Sequence, residues 1–162
     1  MEIYLLRHGI AEDAKAGEPD SDRALTKEGR EKLRRVLKRA RAAGVAPALI
    51  LSSPYLRAVQ TAEAAAEILG YSRGLVRTPA LQPDTSPHDT WDEIRSHKDE
   101  TSILLASHEP LMSSMLAFLL DSPALQTDMK KAALARVDCD RLTAKPRCVL
   151  KWMITPGLAG EP

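Results

Sequence analysis

The sequence predicts an α/β fold: a mostly parallel central sheet flanked by helices on both faces, with a C-terminal antiparallel hairpin. Three observations predict it. Short continuous apolar runs ("IYLL", "ALILSS", "TSILLAS") alternate with longer stretches of helical period, the pattern of buried strands joined by crossover helices. Capping and stopping residues stand where that alternation needs them. After "DSPALQTD" the pattern changes, and two strand-like runs follow one another, as in a hairpin.

The elements follow in order. Ile3, Tyr4, Leu5 and Leu6 form the first strand, which runs straight into Arg7, His8 and Gly9. Residues 10–25 are polar, carry Gly17 and Pro19, and read as a loop without an inserted lid. Thr26 caps the helix "KEGREKLRRVLKRARAAG", which turns Leu33, Val36, Leu37 and Ala40 inward and stops at Gly44. Its many lysines and arginines are its solvated face. "ALILSS" is the second buried strand. Ser53 as cap and Pro54 at the first helical position open the helix "YLRAVQTAEAAAEILG", which Gly70 ends. "GLVRTP" holds a short third strand, and "PDTSPHDTWDEIRSH" turns from loop to helix. "TSILLAS" is the next buried strand, and Pro110 starts the helix "PLMSSMLAFLL". "AALARVDC" and "RCVLKWMIT" form the hairpin, with Cys148, Leu150, Trp152 and Ile154 alternating with more polar positions. Asp138, Cys139 and Asp140 fall at its turn. One domain over residues 1–156 is expected, with 157–162 a frayed tail.

Composition excludes several classes. The 162 residues are 44% hydrophobic and 28% charged, with a net charge of +1. That suits an ordinary globular domain with no general attraction to nucleic acid or membrane. No apolar stretch approaches a membrane span, and the first one is broken by Arg7, unlike a signal peptide. Cys139 and Cys148 have no metal-like spacing. They favour free thiols in a reducing, cytoplasmic setting, with a cross-strand disulfide as the minor alternative.

Function is written at the strand ends. Ligands of open α/β sheets gather at the carboxyl ends of strands. The first strand ends in Arg7 and His8, the second leads to Arg57 in the first turn of its helix, and a later one ends in Ser107 and His108. Alone, each is an ordinary residue: a turn arginine, a surface arginine, a helix-start histidine. Together, at the ends of neighbouring strands, they make one cationic pocket. Guanidinium forks match phosphate oxygens in pairs, and a neutral imidazole is a nucleophile near pH 7. Phosphoryl transfer needs positioning and charge stabilisation, which Arg7, Arg57 and His108 can supply without a metal. Gly9 lets the backbone turn close to the phosphate. His88 and His97 lack such placement and read as surface residues.

The motifs "LLRHGIAE", "LILSSPYLRAVQTA" and "LLASHEPLM", in this order and spacing, resemble the histidine phosphatase superfamily. "DSDRALTKEGR", "KKAALARVDC" and "LKWMITP" are similar to its compact branch of SixA-type phosphohistidine phosphatases. The resemblance spans roughly residues 1–156 and implies the superfamily's α/β fold. It implies that His8 accepts the phosphoryl group, that Arg7, Arg57 and His108 hold it, and that no cofactor is used. Ser53, with its neighbour Ser52, and Arg23 are secondary candidates at the pocket edge. A general acid, which larger members use, has Asp84 and Glu109 as its candidates, with Glu109 also placed to favour the start of its helix. The lack of a clear acid, together with short loops, favours phosphohistidine over an ester. The expected partner is a phosphohistidine-bearing protein, such as a phosphotransfer domain or carrier, met by a monomer. Two other readings stay open: a small-metabolite phosphomonoesterase of the same superfamily, and a phosphate-binding module without activity.

Overall fold

The computed structural model describes residues 1–160. Its central sheet has six strands in the order β3-β2-β4-β1-β5-β6: β1 (Glu2–Arg7), β2 (Leu49–Ser52), β3 (Val76–Arg77), β4 (Ser102–Ser107), β5 (Leu134–Asp138) and β6 (Val149–Ile154). β1, β2, β3 and β4 run parallel, and β5 joins β1 and β6 antiparallel. The mostly parallel sheet and closing hairpin match the sequence prediction.

The alternation of side chains along each strand divides the core between the two faces. Ile3 and Leu5 of β1 pack with Trp91, Ile94, Leu111 and Met115, which come from α3 (Pro87–Ser96) and α4 (Leu111–Leu119). Tyr4 and Leu6 pack with Leu33, Leu37, Ala62 and Ala65, from α1 (Lys27–Ala42) and α2 (Leu56–Leu69). All six residues of β4 are buried, as a strand covered on both faces requires. Thr26 caps α1 by accepting from the Gly29 N–H at 2.9 Å, and Gly44 closes it at φ +84°, where a side chain would be strained.

The structure departs from the sequence reading in several places. α2 begins at Leu56 and its N-cap Tyr55 is extended, so neither Ser53 nor Pro54 opens the helix. The Ser53 hydroxyl is committed to the site instead. β6 is an edge strand with Val149 62% and Leu150 40% exposed. Its register shifts by one residue opposite Arg136 and Val137, so the expected alternation breaks at a bulge. Cys139 and Cys148 form a disulfide. The expectation of two free thiols is therefore not met, and the cysteines no longer point to a reducing compartment. They flank the β5–β6 connection, and both are buried in the core of the α3–α4 face. Beyond residue 156 the chain is not a loose tail as far as it is described. Pro156–Ala159 form a helical turn, α5, and Ala159 packs on the α1–α2 face. Residues 161 and 162 of the expected tail lie outside the described residues. Among the described residues no helix is long and apolar enough to cross a membrane.

Candidate active site

Strand register sets the site. Arg7 lies opposite Ser107, and Ser52 opposite Ala106. His8 and His108 therefore leave β1 and β4 at the same level, and Ser53 leaves the adjacent β2 one residue behind them. The His8 and His108 rings stand 5.1 Å apart, and the Tyr55 ring is 5.0 Å from His108. The Arg57 guanidinium lies 5.0 Å from the centre of the same tyrosine ring, a cation–π distance. Arg7 and Arg57 both act on the charge of His8 and His108, so Arg7, His8, Arg57 and His108, named from the sequence, form one cluster. His8, Arg57 and His108 are almost fully buried.

Backbone and side-chain partners fix each of them. His8 Nδ1 lies 2.6 Å from the Gly9 carbonyl, and a carbonyl only accepts, so Nδ1 carries the proton and Nε2 keeps its lone pair. The Gly9 N–H donates to Thr61 Oγ1 at 3.2 Å, and the Thr61 hydroxyl donates to the Arg57 carbonyl at 2.7 Å. Thr61 therefore ties the end of β1 to the first turn of α2. The Arg7 Nη1 donates to the Met129 carbonyl at 2.7 Å. Ser53 Oγ accepts from the Tyr55 N–H at 3.3 Å and lies 2.7 Å from His108 Nε2. The buried hydroxyl needs an acceptor, and Nε2 is the one in reach, which assigns the His108 proton to Nδ1. Arg7 Nε, Arg57 Nε and His108 Nδ1 are buried with no hydrogen-bond partner among the described residues. All three belong to this cluster, and unpaired buried donors are rare in folded proteins.

Electrostatics follow from the crowding of positive groups. Burial lowers the His8 pKa to about 4, with Arg57, Arg7 and Lys131 adding to the effect against the Gly9 hydrogen bond. Burial, then His8 and Arg57, lowers His108 to about 3, with Asp20 opposing. Both rings are neutral at pH 7. A neutral imidazole whose Nε2 keeps its lone pair, beside two arginines, has the form of a nucleophile.

The secondary candidates fall differently. Gly9 does not offer its N–H to a ligand, because Thr61 takes it. Its lack of a side chain serves packing: a Cβ would stand 3.1 Å from the Gly29 carbonyl oxygen and 3.3 Å from Leu25. Ser53 holds His108 rather than lining the pocket directly. Arg23 pairs with Asp20 at 2.8 Å and donates to the Glu12 carbonyl at 3.1 Å, which places it at the pocket edge. Glu109 accepts from the Ser113 N–H and hydroxyl, at 2.8 and 2.6 Å, with one oxygen each. That is the helix-start role. Asp84 is exposed on the turn after the 3-10 helix Pro79–Leu81.

Sequence reasoning missed Asp20, Thr61 and the Met129 carbonyl. The loop before α1 contains a 3-10 turn, Asp20–Asp22, and an isolated bridge from Ala11 to Leu25. It sets Asp20 against Arg57, with Nη1 donating to the Asp20 carbonyl at 2.8 Å and Nη2 to its carboxylate at 3.0 Å. This segment is a wall of the site, not a bystander. Beside it lies a groove of about 540 Å³ lined by Ser21, Asp22, Tyr55, Leu56, Arg77 and Gln82, among others.

Two histidines and two arginines at the carboxyl ends of β1, β2 and β4 define a phosphate-handling α/β protein, and sequence comparison places it. The profile of the histidine phosphatase superfamily (branch 1) matches residues 3–82, and the chain belongs to that superfamily. It is 28% identical over 160 residues to the phosphohistidine phosphatase SixA of Escherichia coli (strain K12), covering 96% of this chain and 94% of that protein. It is 37% identical over 112 residues to an uncharacterized protein of Picosynechococcus, covering 68% of this chain and 67% of that one. Among solved structures, the protein histidine phosphatase SixA complexed with tungstate superposes with a TM-score of 0.84 at 27% identity, over 97% of this chain and 98% of the other.

Proposed function

We propose that the protein removes phosphate from phosphohistidine on another protein, with a covalent phosphohistidine on His8 as intermediate. The single observation that carries this reading is the buried cluster itself: His8, with Nε2 unprotonated, beside His108 and within the electrostatic reach of Arg7 and Arg57, while Arg7 Nε, Arg57 Nε and His108 Nδ1 have no hydrogen-bond partner among the described residues. The donors meet the phosphoryl oxygens, and their fixed charge and dipoles stabilise the transferring group. Nε2 attacks phosphorus as the P–N bond to the substrate breaks. The departing imidazole nitrogen takes a proton from solvent. Water then attacks the phosphoryl group on His8, releasing inorganic phosphate and restoring neutral His8. The SixA relative is complexed with tungstate, a phosphate-like oxyanion, which supports an oxyanion-binding role for the same fold.

The state of the carboxylates supports a P–N rather than a P–O substrate. An ester's alkoxide leaving group needs a proton donor. Hydrogen bonds from Arg57 and Arg23 outweigh burial and hold Asp20 below the usual carboxylate range, so it is ionised. Glu109 has both oxygens on Ser113. A leaving imidazole depends on an internal acid far less. The groove beside Tyr55 gives a protein segment room to approach with its phosphorylated side chain. The test is kcat/KM for a phosphorylated phosphotransfer domain against a panel of phosphate esters, at neutral pH or above with a no-enzyme control. Neutral quenching and mass spectrometry of the same reaction should place phosphate on the His8 peptide, and His8→Ala should lose both phosphate and turnover. Faster cleavage of a metabolite ester than of phosphohistidine protein would replace the substrate assignment with the phosphomonoesterase reading, and near-normal turnover by His8→Ala would remove the intermediate.

A further inference from the structure

We propose that Asp20 is a positioning residue for the oxyanion: it holds the far edge of the Arg57 guanidinium so that the Nε edge is presented to the phosphoryl group. The inference rests on the phosphate-pocket reading above and specifies how one half of that pocket is oriented. A guanidinium has two edges that can bind an anion in two-toothed fashion, one formed by Nη1 and Nη2 and one by Nε and Nη2. Asp20 occupies the first edge completely, with its carbonyl on Nη1 at 2.8 Å and its carboxylate on Nη2 at 3.0 Å. The second edge is the one whose Nε is buried and without a partner among the described residues. Asp20 and an incoming phosphate therefore bind different edges and do not compete.

Asp20 is itself anchored. Its other carboxylate oxygen receives Arg23 Nε at 2.8 Å, and Arg23 Nη1 donates to the Glu12 carbonyl at 3.1 Å. The chain Glu12–Arg23–Asp20–Arg57 joins two points of the loop to the site. The Tyr55 ring covers the guanidinium face at 5.0 Å. A long arginine side chain loses rotamer freedom when it binds, and an arginine held beforehand in the productive orientation has already lost it.

The experiment is a double-mutant cycle on the full chain, read as tungstate affinity by NMR titration and as kcat and KM for phosphoramidate. Asp20→Ala should weaken tungstate about tenfold, the scale of one lost hydrogen bond between charged groups, with a fall in kcat. Asp20→Asn keeps the shape and one neutral acceptor and should fall between. In an Arg57→Ala background, Asp20→Ala should change tungstate affinity by no more than about twofold, because Asp20 acts through Arg57. An equal loss in both backgrounds would make Asp20 a loop-ordering residue only and overturn the proposal. Unchanged or tighter tungstate binding by Asp20→Ala would also overturn it, the tighter case marking Asp20 as a competitor for Arg57. Should Asp20→Ala fail to fold, the Asp20→Asn cycle carries the same comparison. Failure of the wild-type protein to bind tungstate at all would instead strike the phosphate-pocket reading.

Discussion

The two ends of β1 handle charge in opposite ways. At the amino end, Glu2 accepts from Tyr4 Oη at 2.6 Å and from Arg136 Nη2 at 2.8 Å. Arg136 also reaches both carboxylate oxygens of Asp138, at 2.8 and 3.1 Å. One guanidinium there meets two carboxylates, and its Nε is paired. At the carboxyl end, Arg57 is hydrogen-bonded to the ionised Asp20 and Arg7 feels Glu109 and Asp128 only at a distance, while both arginines face two buried histidines and their Nε groups lack a partner among the described residues. A buried donor without a partner costs roughly 1–3 kcal/mol. The amino end is a closed network of ion pairs, while the carboxyl end keeps guanidinium donors that no protein group among the described residues takes, the donors that the proposed function assigns to phosphate. Satisfaction of the guanidinium, more than its burial, separates the two roles.

Removing the geometry of the open end should give the largest effect. Arg57→Lys is expected to lose about a hundredfold in kcat/KM, nearly as much as Arg57→Ala, because an ammonium cannot make two parallel bonds to phosphate. The lysine would also lose the Asp20 clamp. Steady-state kinetics on phosphoramidate measures it, and a lysine variant retaining most activity would place Arg57 among arginines of the Arg136 kind.

The two ends should separate on the pH axis as well. His8 and His108 titrate near 4 and 3 in the folded protein, against 6.5 unfolded. The unfolded chain therefore takes up protons below pH 6.5 that the native state refuses, so stability falls as pH drops from about 6.5 toward 4 and then 3. Asp138 has its pKa lowered by the Arg136 hydrogen bond from 3.8. Its contribution is intact above that value and is lost only as pH falls below it. Urea unfolding of wild type should weaken steadily between pH 6.5 and 4, and His8→Ala should flatten that slope. A slope unchanged by the substitution would mean that His8 is not held neutral by the fold. The same neutrality predicts an imidazole of His8 that shows no titration by NMR at pH 6.5.

Much of this contrast is legible in the sequence alone. Arg7, His8, Arg57 and His108 stand directly after buried apolar strands or one turn beyond, and strand order brings such residues together. The sheet itself is readable because strand and helix periods differ. Asp20 is not readable, since it lies in a polar loop without periodicity, and its contact with Arg57 spans 37 positions. Nor can Met129 be found that way, because it contributes only its carbonyl. Ser53 reads as a helix cap because serine before proline usually is one; its hydroxyl instead serves Tyr55 and His108, and α2 starts later. The Cys139–Cys148 disulfide depends on how the β5–β6 connection folds back, which the nine-residue separation leaves open.

The smallest effect belongs to the closed end. Arg136→Met removes the ion pairs with Glu2 and Asp138, whose side chains are 42% and 30% exposed. Partly exposed pairs of this kind contribute about 1 kcal/mol or less each, and the methionine retains much of the arginine's apolar contact beside Trp152, its partner in the β5–β6 register. Glu2 keeps its bond from Tyr4 and enough exposure to be hydrated, so no buried charge is stranded. The expected outcome is a small drop in the urea midpoint, sensitive to salt as partly exposed pairs are. kcat/KM should stay within about twofold of wild type, because no part of the network touches Arg7, His8, Arg57 or His108 and distant sites act independently. A large loss of activity with unchanged stability would show that charge at the amino end of β1 is felt at its carboxyl end, and the division drawn between the two arginine types would not hold.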